Sequence, residues 1–336
     1  MRTIVSLDLG SYTLKAVQAS KSNPIQVTRT VEVFNPTGTV IPSGEADSEK
    51  LAQLIGTLFQ DHSLSKQDVR LALPESAVST KIITIPMLTD AELASAINWQ
   101  AEQHIPIPLD ELSLEYQVIS RPAKKEKDAQ MQVLLVGARK NIVESYLNVF
   151  LEAGVEPTLL ETSVLSNFRG MSFTPEDPTS LVVHMGASTT EMFIVHEGQL
   201  QFVYTYASGG QVLTRAIEQS VQLDPKQAEQ YKRTYGIDPQ HLNGKLREVL
   251  LPILKLLTLE MQKTVQFFIS QKQVPAVKRV VLSGGGSQMP GLAQFITEQL
   301  NAEVLSAAPF TGMTGEIPTT NQAAFAVCAG LLTREI

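Results

Sequence analysis

Two short glycine-containing segments of this 336-residue chain carry the residue types that hold polyphosphates. The first, Asp8-Leu-Gly-Ser11, ends an apolar strand pattern from Thr3 and opens onto Tyr12, Thr13 and then Lys15. The second, His184-Met-Gly-Ala-Ser188, ends a similar pattern from Leu181 and opens onto Thr189. Turns of this kind can aim several backbone N–H groups at one anion, and glycine lets a phosphate come close to the backbone. Gly10, Ser11, Tyr12, Thr13 and Lys15 on one side could therefore grip a polyphosphate against Gly186, Ala187, Ser188 and Thr189 on the other. Asp8, a hard oxygen donor at a strand end, could hold Mg2+ directly or through water. Each turn taken alone also fits an ordinary β-turn.

Two further segments bear on a planar or sugar-like ligand. Ser283-Gly-Gly-Gly-Ser287 follows an apolar strand pattern and precedes a helix pattern, so Gly284, Gly285, Gly286 and Gln288 can pass flat against a ring or a phosphate. Gly209 and Gly210, after a strand pattern ending at Tyr206, join the candidate binding residues. In Ala228-Glu-Gln-Tyr-Lys-Arg233, Glu229 and Lys232 stand three apart on one helical face. A carboxylate there can bind ribose hydroxyls and a lysine stem can lie along adenine, although a solvated ion pair fits the same spacing.

Three strands in quick succession must position the first turn: Thr3–Asp8, Thr13–Gln18 and 25–34, joined by tight hairpins. A helix opening at Asp47-Ser48 places Leu51, Leu54, Ile55, Leu58 and Phe59 three and four apart and should pack on that sheet. From about residue 68 the texture changes to alternating strands and helices: 69–74, 80–86, a capped helix over 90–104, a strand pair at 112–120 and 131–136, and a helix over 141–153. The charged stretch 121–128 reads as a solvated hairpin tip, and Trp99 on the 90–104 helix reads as a core residue. The opening pattern then returns at 181–185, 190–195 and 199–206, which puts the two turns 176 residues apart and points to two related halves. Helical periodicity dominates 211–273, and 321–332 reads as a last apolar helix.

Composition narrows the function. A chain that is 43% hydrophobic and 18% charged is an ordinary globular protein, and its length suits about two domains. A net charge of -7 argues against a phosphate-backbone binder, so no nucleic-acid partner is expected. Cys328 is the only cysteine, which leaves no intramolecular disulfide and suits a reducing cytoplasm. The amino terminus lacks the apolar core of a secretory signal, and no apolar stretch reaches the ~20 residues of a bilayer-spanning helix.

In this order the four elements resemble the actin-like ATPase superfamily: two phosphate hairpins, a Glu-x-x-Lys helix and a glycine-rich adenosine loop. The block inserted ahead of the second hairpin is similar to that of the division protein FtsA and, more closely, to the PilM family of type IV pilus assembly. The likeness to PilM rests on Leu71-Ala-Leu-Pro74, Ile85-Pro-Met-Leu-Thr-Asp-Ala-Glu-Leu93, Ala101-Glu-Gln-His-Ile-Pro-Ile-Pro108, Val136-Gly-Ala-Arg-Lys140 and Gly154-Val-Glu-Pro157.

The resemblance implies an α/β, actin-like (ribonuclease H-like) two-lobed fold with duplicated mixed sheets and an inserted FtsA-type 1C subdomain. It implies a first lobe of 1–66 and 154–179, the insertion at 67–153, a second lobe of 180–210 and 274–336, and a helical subdomain at 211–273. It implies ATP or ADP with Mg2+ as cofactors. The partner it implies is the N-terminal cytoplasmic peptide of a PilN-like membrane protein, held in a groove between the first lobe and the insertion, with other pilus platform components and self-association as further partners. That peptide would tether a cytoplasmic protein to the inner membrane, and the chain's last residues, Leu331 to Ile336, show no amphipathic helix of the kind that ends FtsA.

At the second hairpin the superfamily usually has Asp-x-Gly, where this chain has His184-Met-Gly186. An imidazole is a poor ligand for Mg2+, so nucleotide binding should survive on backbone contacts while hydrolysis is weak or absent. His184 also fits a satisfied histidine at a strand end. Glu161 lies near where these ATPases place the residue that orients the attacking water, and equally could cap the helix that follows. Other functions on the same scaffold are a filament-forming FtsA-like or MreB-like ATPase, or a small-molecule kinase.

Overall fold

The computed structural model describes residues 2–121, 129–272 and 276–335. The chain opens with β1 (Thr3–Leu9), β2 (Thr13–Ser20), β3 (Gln26–Phe34), α1 (Glu45–Asp61) and β4 (Val69–Leu73). The inserted block is β5 (Val78–Pro86), α2 (Asp90–His104), β6 (Leu112–Ser120), β7 (Gln130–Arg139) and α3 (Lys140–Glu152), followed by β8 (Pro157–Thr162) and α4 (Ser163–Gly170). Then come β9 (Ser180–Met185), β10 (Thr190–His196), β11 (Gln199–Tyr206), α5 (Gly210–Val221), α6 (Pro225–Tyr235) and α7 (Lys245–Lys272). The chain finishes with β12 (Arg279–Ser283), α8 (Leu292–Leu300), β13 (Glu303–Ser306), β14 (Thr314–Gly315) and α9 (Ala326–Leu332). Of the expected hairpin tip at 121–128, only Arg121 falls within the described residues, and it pairs with Asp90 at 2.6 Å.

The duplication read from the two turns extends to whole sheets. One sheet runs β14-β3-β2-β1-β4-β8 and the other β11-β10-β9-β12-β13. Within each, three strands form an antiparallel meander and two more add in parallel: β4 and β8 beside β1, β12 and β13 beside β9. Parallel neighbours need crossovers, and helices supply them, so both faces of each sheet are covered and its central strands are apolar on both sides. The smaller sheet β5-β7-β6 is antiparallel and packs on α2.

Helical period and burial agree closely. In α1, Leu51, Ile55, Leu58 and Phe59 pack on the first sheet beside Tyr146, Val149 and Phe150 of α3. In α2, Leu93, Ile97 and Ala101 form the buried stripe at a spacing of four, which leaves Trp99 on the far side and 58% exposed. Trp99 is therefore not the core residue that the sequence suggested.

The carboxyl-terminal helix departs from the expected division. Instead of belonging with the second sheet, Phe310, Ala324, Phe325, Cys328 and Ala329 pack on Ile4, Val17, Ala19 and Val27 of the first, and β14 pairs with β3. Every residue of α9 is buried, so it needs cover on all sides. α4 supplies the other side at very short range, because a Cβ on Gly330 would stand 1.7 Å from the Ser166 carbonyl oxygen. Buried Arg70 fixes the end of α9 by donating to the carbonyls of Leu331 (2.9 Å) and Arg334 (2.6 Å) while pairing with Asp68 at 3.2 Å.

Candidate functional site

Both glycine turns line one cleft of about 610 Å³ between the two sheets. They are the same turn built twice. Gly10 donates its N–H to Thr13 O at 3.1 Å, and Gly186 donates to Thr189 O at 3.0 Å. The carbonyl that accepts the bond leaves no room for a side chain: a Cβ would lie 2.6 Å from it at Gly10 and 3.0 Å at Gly186. The Oγ atoms of Ser11 and Ser188 meet at 2.6 Å and join the two corners directly. The second corner is also bolted to α5, whose first amides at Gly210 and Gln211 donate to Gly186 O and Ala187 O at 2.9 Å. Gly209 permits that docking, since its Cβ would stand 2.7 Å from both carbonyl oxygens, and it lies behind the cleft rather than on its wall.

Strand pairing sets the chemistry behind each corner. Asp8 faces Lys15 across β1 and β2, with the ammonium 3.7 Å from the carboxylate. At the matching positions His184 faces Glu191 across β10 and β9. His184 Nδ1 lies 3.0 Å from the Asn167 amide nitrogen and 3.0 Å from Ser283 Oγ. Burial, with Lys15 nearby and only partly countered by Asp8, pushes the imidazole down to about 4, so it is neutral. His184 thus lines the cleft as a satisfied strand-end histidine.

Glu191 is a buried cleft residue that the sequence motifs do not point to. Its two carboxyl oxygens take the Ser163 hydroxyl at 3.0 and 3.1 Å, and the same Oγ accepts the Glu75 N–H at 3.1 Å. Burial, reinforced by Glu75, raises Glu191 to about 8, and burial raises Glu75 to about 7. Glu75 Oε2 is buried with no hydrogen-bond partner among the described residues. One signal was available: Glu191 is the lone charge in the apolar run Thr190–Val195 and stands 176 residues after Lys15.

The other wall carries the Glu-x-x-Lys face. Lys232 Nζ reaches Glu229 Oε2 at 2.6 Å, Thr214 Oγ1 at 2.9 Å and Gly210 O at 3.0 Å, and Arg233 Nε reaches Glu229 Oε1 at 3.0 Å. Burial disfavours both charges, yet Lys232 outweighs it at Glu229 and holds that carboxyl below its usual range. Both residues are buried in the cleft wall, which is not the place of a solvated surface pair. The Arg233 guanidinium also lies 5.6 Å from the centre of the Tyr12 ring, and so bridges the two halves at the cleft mouth.

The glycine triplet divides its work. Gly284 has φ +83° and packs on β9, where a Cβ would stand 2.5 Å from Met185 O. Gly286 lies against the Met185 side chain, and Gly285 faces open space in the cleft. Gln288 turns away to donate to Ser306 at 3.1 Å, and with Gly284 it lies off the cleft wall. Glu161 corrects the catalytic expectation: its carboxylate is clamped by Arg169, approached by Arg334 at 4.0 Å, and stands outside the cleft.

The remaining expected residues, Asp8, Gly10, Ser11, Tyr12, Thr13, Lys15, Gly186, Ala187, Ser188, Thr189, Gly210, Gly285, Gly286, Glu229 and Lys232, all line the one cleft.

Comparison with known proteins gives this geometry a family. The family model of the type IV pilus assembly protein PilM matches residues 6–334. A solved PilM-PilN type IV pilus biogenesis complex contains a chain 27% identical to this one, superposing with a TM-score of 0.85 over 98% of this chain and 97% of that one. At the level of fold alone, MreB 5 of Spiroplasma citri bound to AMPPNP superposes at 0.57 with 14% identity, over 98% and 95% of the two chains. The ethanolamine utilization protein EutJ of Carboxydothermus hydrogenoformans does so at 0.59 with 14% identity, over 98% and 89%. The actin-like fold expected from the two corners is therefore present, and the chain belongs to the PilM family of type IV pilus assembly proteins.

Proposed function

We propose that this chain is a nucleotide-binding scaffold of the type IV pilus inner-membrane platform. ATP or ADP lies in the cleft with its phosphates at the two corners and its adenosine between Gly285 and the Glu229–Lys232 face. Mg2+ rests on Asp8, on phosphate oxygens and on water. Among the described residues no three His, Cys, Asp or Glu come together around a metal, so the ligand itself must complete the coordination. A PilN-like protein supplies its N-terminal cytoplasmic segment to the groove between the first sheet and the inserted block. Among the described residues no helix is long and apolar enough to cross a membrane, which fits a tether supplied by the partner.

The observation that carries this reading is the matched pair of corners, joined by Ser11 and Ser188, in a chain 27% identical to one solved with PilN. Nucleotide acts mainly by fixing how the halves close, and it shifts partner affinity only through a preference for one closed form. Turnover is slow, because a neutral imidazole stands where the superfamily usually puts a Mg2+-directing carboxylate. The test is to release and identify the nucleotide from purified protein, then to titrate a synthetic PilN-like N-terminal peptide with and without Mg-ATP. Bound adenine nucleotide, slow turnover and saturable peptide binding are expected. Protein that takes up neither nucleotide nor peptide overturns the reading.

A further inference from the structure

Four carboxylates line the cleft besides Glu191, and three of them have their charge answered or their place fixed. Asp8 stands by Lys15, Glu229 is held by Lys232 and Arg233, and Glu32 accepts from Thr13 Oγ1 at 2.9 Å at the exposed rim. Glu218 lines the α5 side and Glu161 is outside altogether. Glu191 differs: it is buried, forms no ion pair among the described residues, and lies behind the second corner at the position that Lys15 takes behind the first. A single hydroxyl, Ser163 at the first turn of α4, fixes both of its oxygens.

We propose that Glu191 is the proton acceptor for hydrolysis of a nucleoside triphosphate in this cleft, with Ser163 and Glu75 as its positioning residues. The proposal rests on the nucleotide reading above. In the step, the oxygen of a water forms a bond to the γ-phosphorus and the bond from that phosphorus to the β-bridging oxygen breaks. The bonding pair leaves on the nucleoside diphosphate; one proton of the water passes to the Glu191 carboxylate, which later returns it to solvent, and the other stays on the released phosphate.

The surroundings then give a second cause of slow turnover besides His184. Burial, then Glu75 after β4 and Asp8 on β1, favour the protonated carboxyl, while Ser163 on α4 and the Glu75 backbone N–H favour the carboxylate, and neutral His184 stands opposite on β9. The surroundings thus hold Glu191 towards its protonated form, which cannot accept.

The test measures steady-state Mg-ATP hydrolysis from about pH 6 to about pH 9.5, with retained nucleotide quantified separately, in the full chain and in Glu191→Gln and Glu75→Gln. The wild-type rate is expected to climb close to tenfold per pH unit, roughly, and to level off near the ionisation of the carboxyl. Glu191→Gln keeps the Ser163 hydrogen bond and the nucleotide, loses on the order of 100-fold in rate at high pH, and flattens the profile. Glu75→Gln removes a like charge and moves the inflection to lower pH. An unchanged rate and profile in Glu191→Gln overturns the proposal, as does wild-type protein that holds nucleotide yet hydrolyses none even at the alkaline end. Wild-type protein that holds no nucleotide at any pH instead defeats the nucleotide reading itself.

Discussion

The two corners share one backbone and differ in what stands behind it. Behind the first, Asp8 and Lys15 form a charged pair across two strands; behind the second, His184 and Glu191 are both neutral in their preferred states. The turn itself needs only glycine and a carbonyl three residues on, so it persists in both halves. On the proposed reading, the first corner supplies both the carboxylate and the backbone grip for a metal-bound polyphosphate, and the second supplies the backbone grip alone, which suits holding nucleotide more than consuming it.

The largest expected effect is an asymmetry between corners. Asp8→Asn should weaken Mg-ATP binding by about 2–3 kcal/mol, because it removes a charged hydrogen-bonding group facing the ligand, whereas His184→Asn should cost under about 1 kcal/mol. Calorimetric titration measures both, and equal losses would abolish the distinction.

Next comes the pH dependence of folding. Glu191 and Glu75 are raised in the folded chain to about 8 and about 7, so the stability they contribute is full below the unfolded carboxyl range and is lost as pH rises towards those values. His184 works the other way, with its contribution present above pH 6.5 and lost as pH falls towards about 4. The Glu191 contribution should therefore fall away between about pH 5 and pH 8, and Glu191→Gln should flatten the thermal-stability profile across that window by about 1 kcal/mol per pH unit. A profile unchanged there in that variant would remove the basis for a neutral second corner.

A smaller effect is expected from restoring the usual carboxylate. His184→Asp should speed Mg-dependent hydrolysis by on the order of tenfold, seen by phosphate release, because it supplies the metal-directing oxygen and leaves Glu191 as the remaining brake. The smallest concerns the bridge itself: Ser11→Ala and Ser188→Ala should show a coupling of ~0.5–1 kcal/mol in a double-mutant cycle read by nucleotide affinity, whereas additive effects would mean that the corners do not act together.

Much of the architecture was legible because it repeats and because its periods are regular. The strand-turn-strand units at Asp8 and His184 mark both sheets, and the capped helix expected over 90–104 matches α2 to the residue, with Thr89 as its cap and Leu93, Ile97 and Ala101 as its buried stripe. Trp99 is core-like by residue type, but its place on α2 is off the Leu93, Ile97, Ala101 stripe, and position decides. The last helix was read as one from 321 to 332, but the chain makes a 3-10 turn over Gln322–Phe325 before α9, and an apolar run carries no mark of that change. Glu161 was placed by likeness of position along the chain, whereas its partners Arg169 and Arg334 come from α4 and the end of the chain. Glu75, Ser163 and Glu191 were missed for the same reason: β4, α4 and β10 bring them together from three distant stretches, and no local spacing announces it.

The central claim is that both corners close on one nucleotide, and amide hydrogen exchange of the full chain with increasing Mg-ATP tests it most directly. Segments 8–14 and 184–190 should slow together and saturate at the same nucleotide concentration. Slowing at one corner alone, at different concentrations for the two, or at neither would contradict it.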